Sequence, residues 1–356
     1  MKKNLKRVIS SGLAVFMSFS LVACNTATNK GNEKGQTKGS EAANGSKDSL
    51  VLYTSTSAAE YECVVGEFNK KYPNIKVEIV SAGTGEMASR IKAEKDAPYG
   101  DVMMGGGATI YNSIKECLEP YKSSELENIH SEFIPEGNLY TPTYITVNSI
   151  IVNKKLIKDL GVEVDGWASL LDEKLKGKIA FANPADSGSA LEAVVNMLAA
   201  MKTGDDVNSG YDYVSKFVAN LDHKFSSGSS GAYKSVVEGE YPVGICNEDK
   251  TISYMNQGAD VYAVYPKEGV TLRTSNIALI KNGKNSENAK KFIDFVVSKE
   301  CQSITEKVVN TRPVRKDVEL TTKGRLKTEE LKAVAYPNVK SKEVKAKFQA
   351  IVVDAK

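Results

Sequence analysis

The chain has 356 residues, of which 41% are hydrophobic, and its 47 basic and 44 acidic side chains nearly balance. That length is sufficient for two lobes with cores of their own. The charge balance gives no reason to invoke nucleic acid, so we expect no nucleic-acid partner. His130 and His223 are the only histidines, which disfavours a histidine-based metal site or a Ser-His-Asp triad.

The first 23 residues have the organisation of a secretory signal peptide. A basic start, MKKNLKR, precedes an apolar run that is too short for a comfortable transmembrane helix and ends in LVAC. This ending resembles the bacterial lipobox, so we predict cleavage before Cys24 and lipidation of that cysteine. An ordinary signal peptide with a coincidental cysteine is the alternative. Removal of the four basic residues of this segment changes the net charge from +3 to −1.

Residues 24–49 are predicted to form the lipidated cysteine and a flexible tether. Beyond Cys24 the segment is rich in Gly, Asn, Ser, Thr and Lys and has no hydrophobic residue larger than alanine. Such a composition cannot bury enough apolar surface to fold. We therefore expect an extracytoplasmic protein held at the outer face of the cell membrane by its lipid alone, in a Gram-positive host.

Strand-like and helix-like segments alternate through the remaining chain. The first five segments read β-α-β-α-β: LVLYTST, AAEYECVVGEFNKKY, IKVEIVSAG, EMASRIKAEK and DVMMGG. Later segments repeat strand, loop and helix: KIAFANPADSGSALEAVVNMLAAMK and YPVGICNEDKTISYMNQG. The pattern predicts an α/β fold with mainly parallel sheets.

Four predicted helix starts carry more hydroxyl groups and glycines than one cap requires. Three of them directly follow a strand-like run, and such loops lie where open parallel sheets bind ligands. Helix N-termini attract anions, hydroxyls donate hydrogen bonds, and glycine permits close approach. Ordinary capping is the alternative reading of each start. The candidate residues are Ser55, Thr56 and Ser57; Gly83 and Thr84; Ser187, Gly188 and Ser189; and Ser229 and Ser230.

Four further cysteines leave two interpretations open. Cys63, Cys117, Cys246 and Cys301 form no C-x-x-C pair. In an exported chain they are sufficient for two disulfides. We favour small buried side chains, because a core of this size does not depend on crosslinks.

The order of these segments resembles that of the extracellular solute-binding proteins of ABC importers. The lipobox, the tether, LVLYTSTSAAEYECVVGEFNKKYPNIKVEIVSAGTGEMASRIKAE, DVMMGGG, FANPADSGSALEAVV and SVVEGEYPVGICNED carry the resemblance. The similar branch contains ferric-iron, thiamine, hexose-phosphate and aminoethylphosphonate binders. The resemblance implies a two-lobed periplasmic-binding-protein-like fold of type II with a strand hinge, which closes on a solute.

The resemblance also gives a division of the chain and a set of partners. We expect lobe 1 to contain residues 50–142 and 268–312, and lobe 2 to contain residues 143–267 and 313–356. The partners would be a small anionic solute and an ABC permease with its ATPase. We expect a monomer that is not an enzyme and has neither a resident metal nor a cofactor. The nucleophile elbow G-x-S-x-G, HExxH and Walker A motifs are all missing from the sequence.

The positions that match the iron site of the family lack iron ligands. Ser57 stands where the iron binders have a histidine, and the loop Gly105–Gly107 stands where they have an acidic ligand. Asp249 and Lys250 stand in place of two adjacent tyrosines, and no Tyr-Tyr pair occurs in the chain. The phenolate iron site is therefore predicted to be missing, although a poor carboxylate site at Glu248 and Asp249 stays open.

A small organophosphate or phosphonate is the predicted ligand, such as a hexose phosphate or 2-aminoethylphosphonate. The hydroxyl-bearing loops would hold its anionic end. Glu248 and Asp249 would accept hydrogen bonds from sugar hydroxyls or pair with an ammonium group. Tyr233 is a candidate lining residue, and Lys250 or Arg273 is a candidate cation. A ferric-iron or thiamine binder and an anchored hydrolase are the alternatives.

Overall fold

The computed structural model describes residues 48–355. Its strands are β1 Ser49–Thr54, β2 Lys76–Ser81, β3 Val102–Met104, β4 Leu118–Glu119, β5 Thr141–Thr146, β6 Asn148–Asn153, β7 Ile179–Ala180, β8 Val243–Asn247, β9 Val261–Val264, β10 Val270–Thr271, β11 Arg273–Ile280, β12 Arg312–Pro313 and β13 Ala333–Val334. Its α-helices are α1 Ala58–Lys71, α2 Thr84–Ala93, α3 Ala108–Ser113, α4 Lys154–Leu160, α5 Gly188–Ala200, α6 Tyr211–Leu221, α7 Ser229–Val237, α8 Glu248–Asn256, α9 Ser286–Val296, α10 Lys299–Val309 and α11 Ser341–Asp354.

The predicted signal peptide, the lipidation site Cys24 and most of the tether lie outside the described residues. Of the tether only Asp48 and Ser49 are described, and Ser49 already begins β1. None of the helices from residue 48 to 355 combines the length and the apolar character that crossing a membrane requires.

The first lobe is built on a seven-stranded sheet. Its order is β12-β5-β11-β3-β1-β2, and β4 pairs with β11. The apolar run of β1 is buried on both sides, as expected for a central strand covered by helices. Leu50 and Leu52 pack into one core with Phe68 of α1, while Val51 and Tyr53 pack into another on the opposite face.

The second lobe is built on a four-stranded sheet with the order β7-β8-β6-β9. Its large core joins β6 and β8 to α5, α6 and the C-terminal helix α11, through Phe348. Trp167 lies inside this core, fully buried, and its indole N–H donates to the carbonyl of Gly269 at 3.1 Å. This burial, with its indole N–H bonded, gives the tryptophan a packing role.

The two sheets are joined by a strand that leaves one and enters the other. β5 pairs in the first sheet and β6 in the second, with only Val147 between them. The crossing therefore lies four residues beyond the predicted start of lobe 2 at residue 143. The division of the other segments between lobes stays a prediction.

The predicted two-lobed α/β class is confirmed, but the sheets are mixed rather than mainly parallel. Parallel pairing joins β1 to β2 and β3, β7 to β8, and β10 to β13. The β-α-β pattern at the start of the chain predicted only the parallel pairing of β1 with β2 and β3. β5 and β6, which meet at the crossing, and β11 all run antiparallel to their neighbours.

The cysteines of the described chain are free thiols. Cys117, Cys246 and Cys301 are buried and Cys63 is half-buried. This agrees with the interpretation that they serve as small core residues.

Candidate functional site

A cavity of about 160 Å³, called here the interlobe cavity, lies between the two sheets. Its walls come from the start of α1, from the crossing strand β5, from the start of α8 and from the segment around β12. The lining residues are Ser55, Thr56, Ser57, Glu60, Tyr144, Ile145, Thr146, Val147, Asn247, Glu248, Asp249, Lys250, Val309, Thr311, Arg312 and Arg325.

The start of α1 presents hydroxyl groups that do not serve its cap. Ser57 occupies the N-cap position, yet its side chain makes no capping hydrogen bond. The buried hydroxyl of Ser55 has no hydrogen-bond partner within the described chain. Thr56 shares a 3.0 Å hydrogen bond with the hydroxyl of Thr54. These hydroxyls and the open N–H groups of the first turn form a donor-rich wall suited to an anion.

The start of α8 forms the facing wall and holds a buried ion cluster. Glu248 is 2% exposed, and both its oxygens accept hydrogen bonds from Arg312 at 2.7 and 2.8 Å. Arg325 adds two more at 2.6 and 3.2 Å, and the Tyr265 hydroxyl adds one at 2.6 Å. Burial alone would raise the pKa of Glu248, but the Arg312 hydrogen bonds and the charge of Arg325 outweigh it and lower it to about 2.

This cluster changes the interpretation of Glu248. We expected its carboxylate to accept hydrogen bonds from a ligand, but its oxygens are already occupied by protein donors. Glu248 therefore holds two arginines in place. No local sequence pattern indicated this arrangement, because Arg312 and Arg325 lie 64 and 77 residues away.

Asp249 and Lys250 are partly exposed polar residues of the α8 wall. Their side chains pair at 2.6 Å and are 27% and 39% exposed. Burial opposes the charge of Lys250, but Asp249 outweighs it and raises the pKa of the ammonium group. The raised pKa keeps the Lys250 ammonium group charged near neutral pH, and both side chains line the cavity.

Glu60 and Tyr144 are site residues that the sequence analysis missed. The Tyr144 hydroxyl donates to the Glu60 carboxyl at 3.3 Å. Burial, followed by the charge of Asp249, raises the pKa of Glu60 to about 8, against the opposing charge of Lys250 and the Tyr144 hydrogen bond. The S-x-x-E spacing of Ser57 and Glu60 resembles a capping box, which makes Glu60 look like a helix-start residue.

Gly83 and Thr84 stand next to the α1 wall but do not line the cavity. The loop after β3 packs between them and Ser55, with Gly105 and Gly106 at φ +105° and +87°. A Cβ at Gly105 would lie 2.7 Å from the Ser55 hydroxyl, and one at Gly106 would lie 2.6 Å from the Thr84 methyl. Glycine at both positions thus keeps the hydroxyl wall in place.

The remaining candidates lie on lobe 2, outside the lining. The hydroxyl of Ser187 caps α5 by accepting from the Ala190 N–H at 3.2 Å, directly before Gly188. Ser189 donates to the cavity residue Asn247 at 3.4 Å.

The start of α7 is also set back from the cavity. Ser229 and Ser230 are its first residues, and neither lines the cavity. The Tyr233 ring packs against Tyr254, with centroids 5.9 Å apart. A ligand role for these residues stays a prediction.

The described residues contain no group of three or more His, Cys, Asp or Glu side chains arranged to hold a metal ion. Asp249 and Lys250, which the resemblance matched to the tyrosine pair of iron binders, form an ion pair. An ammonium group at that place repels a metal cation.

Comparison with known proteins places the chain in one family. Residues 64–334 match the family described as bacterial extracellular solute-binding protein. A putative 2-aminoethylphosphonate-binding periplasmic protein of Salmonella typhimurium is 29% identical over 258 residues, which is 70% of this chain and 72% of the relative.

Two solved structures show the same fold. The periplasmic binding protein AfuA of Actinobacillus pleuropneumoniae, with fructose-6-phosphate bound, is 27% identical at a TM-score of 0.71, covering 87% of this chain and 98% of AfuA. A ferric binding protein of Campylobacter jejuni is 20% identical at a TM-score of 0.65, covering 86% of this chain and 99% of its own. The predicted branch is confirmed, and the chain belongs to the bacterial extracellular solute-binding proteins.

Proposed function

We propose that this protein is the solute-binding component of an ABC importer, and that it captures a small solute bearing a phosphate or phosphonate group in the interlobe cavity. It would deliver the solute to a permease with its ATPase. It would act as a lipid-anchored monomer at the outer face of the membrane, without catalysis.

The observation that carries this proposal is the set of unused donors on the α1 wall. Among residues 48–355 the Ser55 hydroxyl has no hydrogen-bond partner, and the Ser57 hydroxyl does not cap its helix. A phosphate or phosphonate group offers several acceptor oxygens to such donors and gains from the helix dipole. Lys250 on the opposite wall adds a partly exposed cation.

The charges of the site favour this solute over iron. Ferric ion is a hard cation that binds oxygen anions, whereas the matched positions here hold an ion pair that includes Lys250. The Salmonella relative is named for 2-aminoethylphosphonate and the AfuA structure contains fructose-6-phosphate. Both names support a phosphorus-containing ligand.

Calorimetric titration with a ligand panel tests the proposal. The panel contains 2-aminoethylphosphonate, fructose 6-phosphate, thiamine, spermidine and ferric citrate. We expect saturable binding of at least one phosphorus compound, and none of ferric citrate. Native mass spectrometry of freshly purified protein would reveal a retained ligand. Binding of ferric citrate without any phosphorus compound contradicts the proposal, and turnover of a bound phosphate ester contradicts the absence of catalysis.

A charge variant checks that binding occurs in the interlobe cavity. Lys250→Met should lower the affinity for the phosphorus ligand by about 10-fold or more, because a charged hydrogen-bond donor is lost and Asp249 is left unpaired. Lys158→Met is the matched control, since Lys158 is exposed on α4, away from the lining. Equal affinities of the two variants would place the ligand elsewhere.

A further inference from the structure

The ion pairs of the interlobe cavity leave one positive charge unbalanced and one carboxyl group outside any ion pair of residues 48–355. Three acidic and three basic side chains line it: Glu60, Glu248, Asp249, Lys250, Arg312 and Arg325. Asp249 and Lys250 neutralise each other, whereas Glu248 is shared between two arginines. The arginine side therefore keeps one positive charge. Glu60 is left on the other side without an ion-pair partner among residues 48–355.

Glu60 faces charged or titratable groups on each element around it. On β5, Tyr144 donates a hydrogen bond to its carboxyl. On α8, Asp249 and Lys250 act on it with opposite signs. The thiol of Cys301 on α10 lies in the small cavity that Glu60 also lines, and the Cys63 thiol is a neighbour on α1 itself.

We propose that Glu60 recognises a primary ammonium group, and that it selects phosphate or phosphonate solutes with an amine at the end opposite the anionic group. This inference rests on the function proposed above. The anionic end would take the donors of the α1 and α8 starts. The anionic group would balance the excess positive charge of the arginine side, and the ammonium would provide the cation that Glu60 lacks.

A sugar phosphate satisfies only half of this arrangement. It brings an anion but no cation, and Glu60 would then stay a neutral carboxylic acid that hydrogen-bonds to a hydroxyl. Because the pKa of Glu60 is raised to about 8, the carboxyl is protonated at neutral pH in the free protein. Binding of an ammonium ion favours the carboxylate, so the carboxyl proton passes to solvent as the ion pair forms, and no other bond changes.

Proton release measured by calorimetry tests the inference. Titrations in buffers of different ionisation enthalpy give the number of protons released per ligand bound. With 2-aminoethylphosphonate at pH 7, Glu60 should contribute about 0.9 proton, the protonated fraction for a pKa of about 8. At pH 9 the contribution should fall to about 0.1. With fructose 6-phosphate Glu60 should release no proton at either pH value.

Glu60→Gln separates the protein proton from those of the ligand. The amide keeps the size of the side chain but does not titrate, so the difference between wild type and variant is the Glu60 contribution. The variant should bind 2-aminoethylphosphonate roughly 10- to 100-fold more weakly and fructose 6-phosphate within about threefold of wild type. Glu62→Gln, an exposed position on the same helix, is the matched control and should change neither.

The outcomes distinguish the inference from the function on which it rests. Binding of 2-aminoethylphosphonate with equal proton release in wild type and Glu60→Gln overturns the role of Glu60 and leaves the proposed function intact. Equal weakening of both ligands by the variant also overturns it, since that indicates a packing role. Failure of every phosphorus compound to bind the wild type overturns the proposed function and this inference together. The wild-type pH comparison supports or opposes the inference even when the variant is unstable.

Discussion

Glu248 and Glu60 are carboxyl groups on two walls of one cavity, and they differ in hydrogen bonding and in ionisation. Glu248 is buried, ionised and saturated by Arg312, Arg325 and Tyr265. Glu60 receives one hydrogen bond of 3.3 Å from Tyr144, and burial keeps it protonated. The saturated group belongs to the framework that holds the walls together, whereas the unsaturated group has bonding capacity left for a solute.

The comparison predicts the largest stability loss at Glu248. Glu248→Gln leaves two buried arginines facing a neutral amide, and removing one partner of such a cluster typically costs about 3–5 kcal/mol. Chemical denaturation should show this loss of unfolding free energy, whereas Glu240→Gln, exposed and outside any ion pair of the described chain, should change it by less than about 0.5 kcal/mol. A loss below about 1 kcal/mol at Glu248 would mean that the arginines do not depend on it.

Acid should remove the same contribution in the wild type. The pKa of Glu248 falls from its usual 4.5 to about 2 in the folded protein, so the native state binds fewer protons than the unfolded state in this range. The contribution is fully present above pH 4.5 and is lost as the pH falls to 2; it amounts to about 3 kcal/mol. Denaturation curves of wild type and Glu248→Gln should converge over this window. A constant difference between them would contradict the paired state of Glu248.

Glu60 should give the opposite pH dependence. Its folded pKa is raised from 4.5 to about 8, so the native state holds a proton that the unfolded state has lost. Stability should therefore fall as the pH rises from 4.5 to 8 and then level off. Glu60→Gln should remove this decline in denaturation experiments. A decline that persists in the variant would assign it to another group.

The location of the site could be read from the sequence better than its chemistry. Ser55, Thr56, Ser57 and Asp249 line the interlobe cavity because they follow strands whose ends meet between the lobes. Local patterns are sufficient for that placement. They also predicted the α/β class, since the apolar segments alternate in the way that buries a sheet under helices. The two-lobed arrangement came from the resemblance to solute-binding proteins.

The rest depended on contacts between distant segments. Arg325 reaches Glu248 across 77 residues, and no local motif contains both. The antiparallel pairs of β11 with β3 and β5 likewise join segments far apart in the chain. Glu60 was hidden for a different reason, because its spacing from Ser57 matches a common capping pattern that the structure does not use.

The Ser55 hydroxyl on the α1 wall should affect ligand binding without affecting stability. Ser55→Ala removes a buried donor that has no partner in the described chain, so the free protein loses no hydrogen bond. Affinity for the phosphorus ligand should fall by roughly 2- to 10-fold, and unfolding free energy should stay within about 0.5 kcal/mol. Calorimetry and denaturation measure the two quantities. Loss of stability with unchanged affinity would mean that the Ser55 hydroxyl supports the fold and does not bind the ligand.

Ser187→Ala should show the reverse behaviour and completes the comparison. This serine stands at a helix start of similar composition, but its hydroxyl caps α5 through the Ala190 N–H. Its loss should lower unfolding free energy by about 1 kcal/mol, and Ser187→Asn, which retains a capping oxygen, should restore most of it. Ligand affinity should stay within about twofold in both variants, since the Ser187 hydroxyl already has a backbone partner. An affinity loss equal to that of Ser55→Ala would mean that the α5 start contacts the ligand when the lobes close. The hydroxyl groups at the starts of α1 and α5 would then both serve ligand binding.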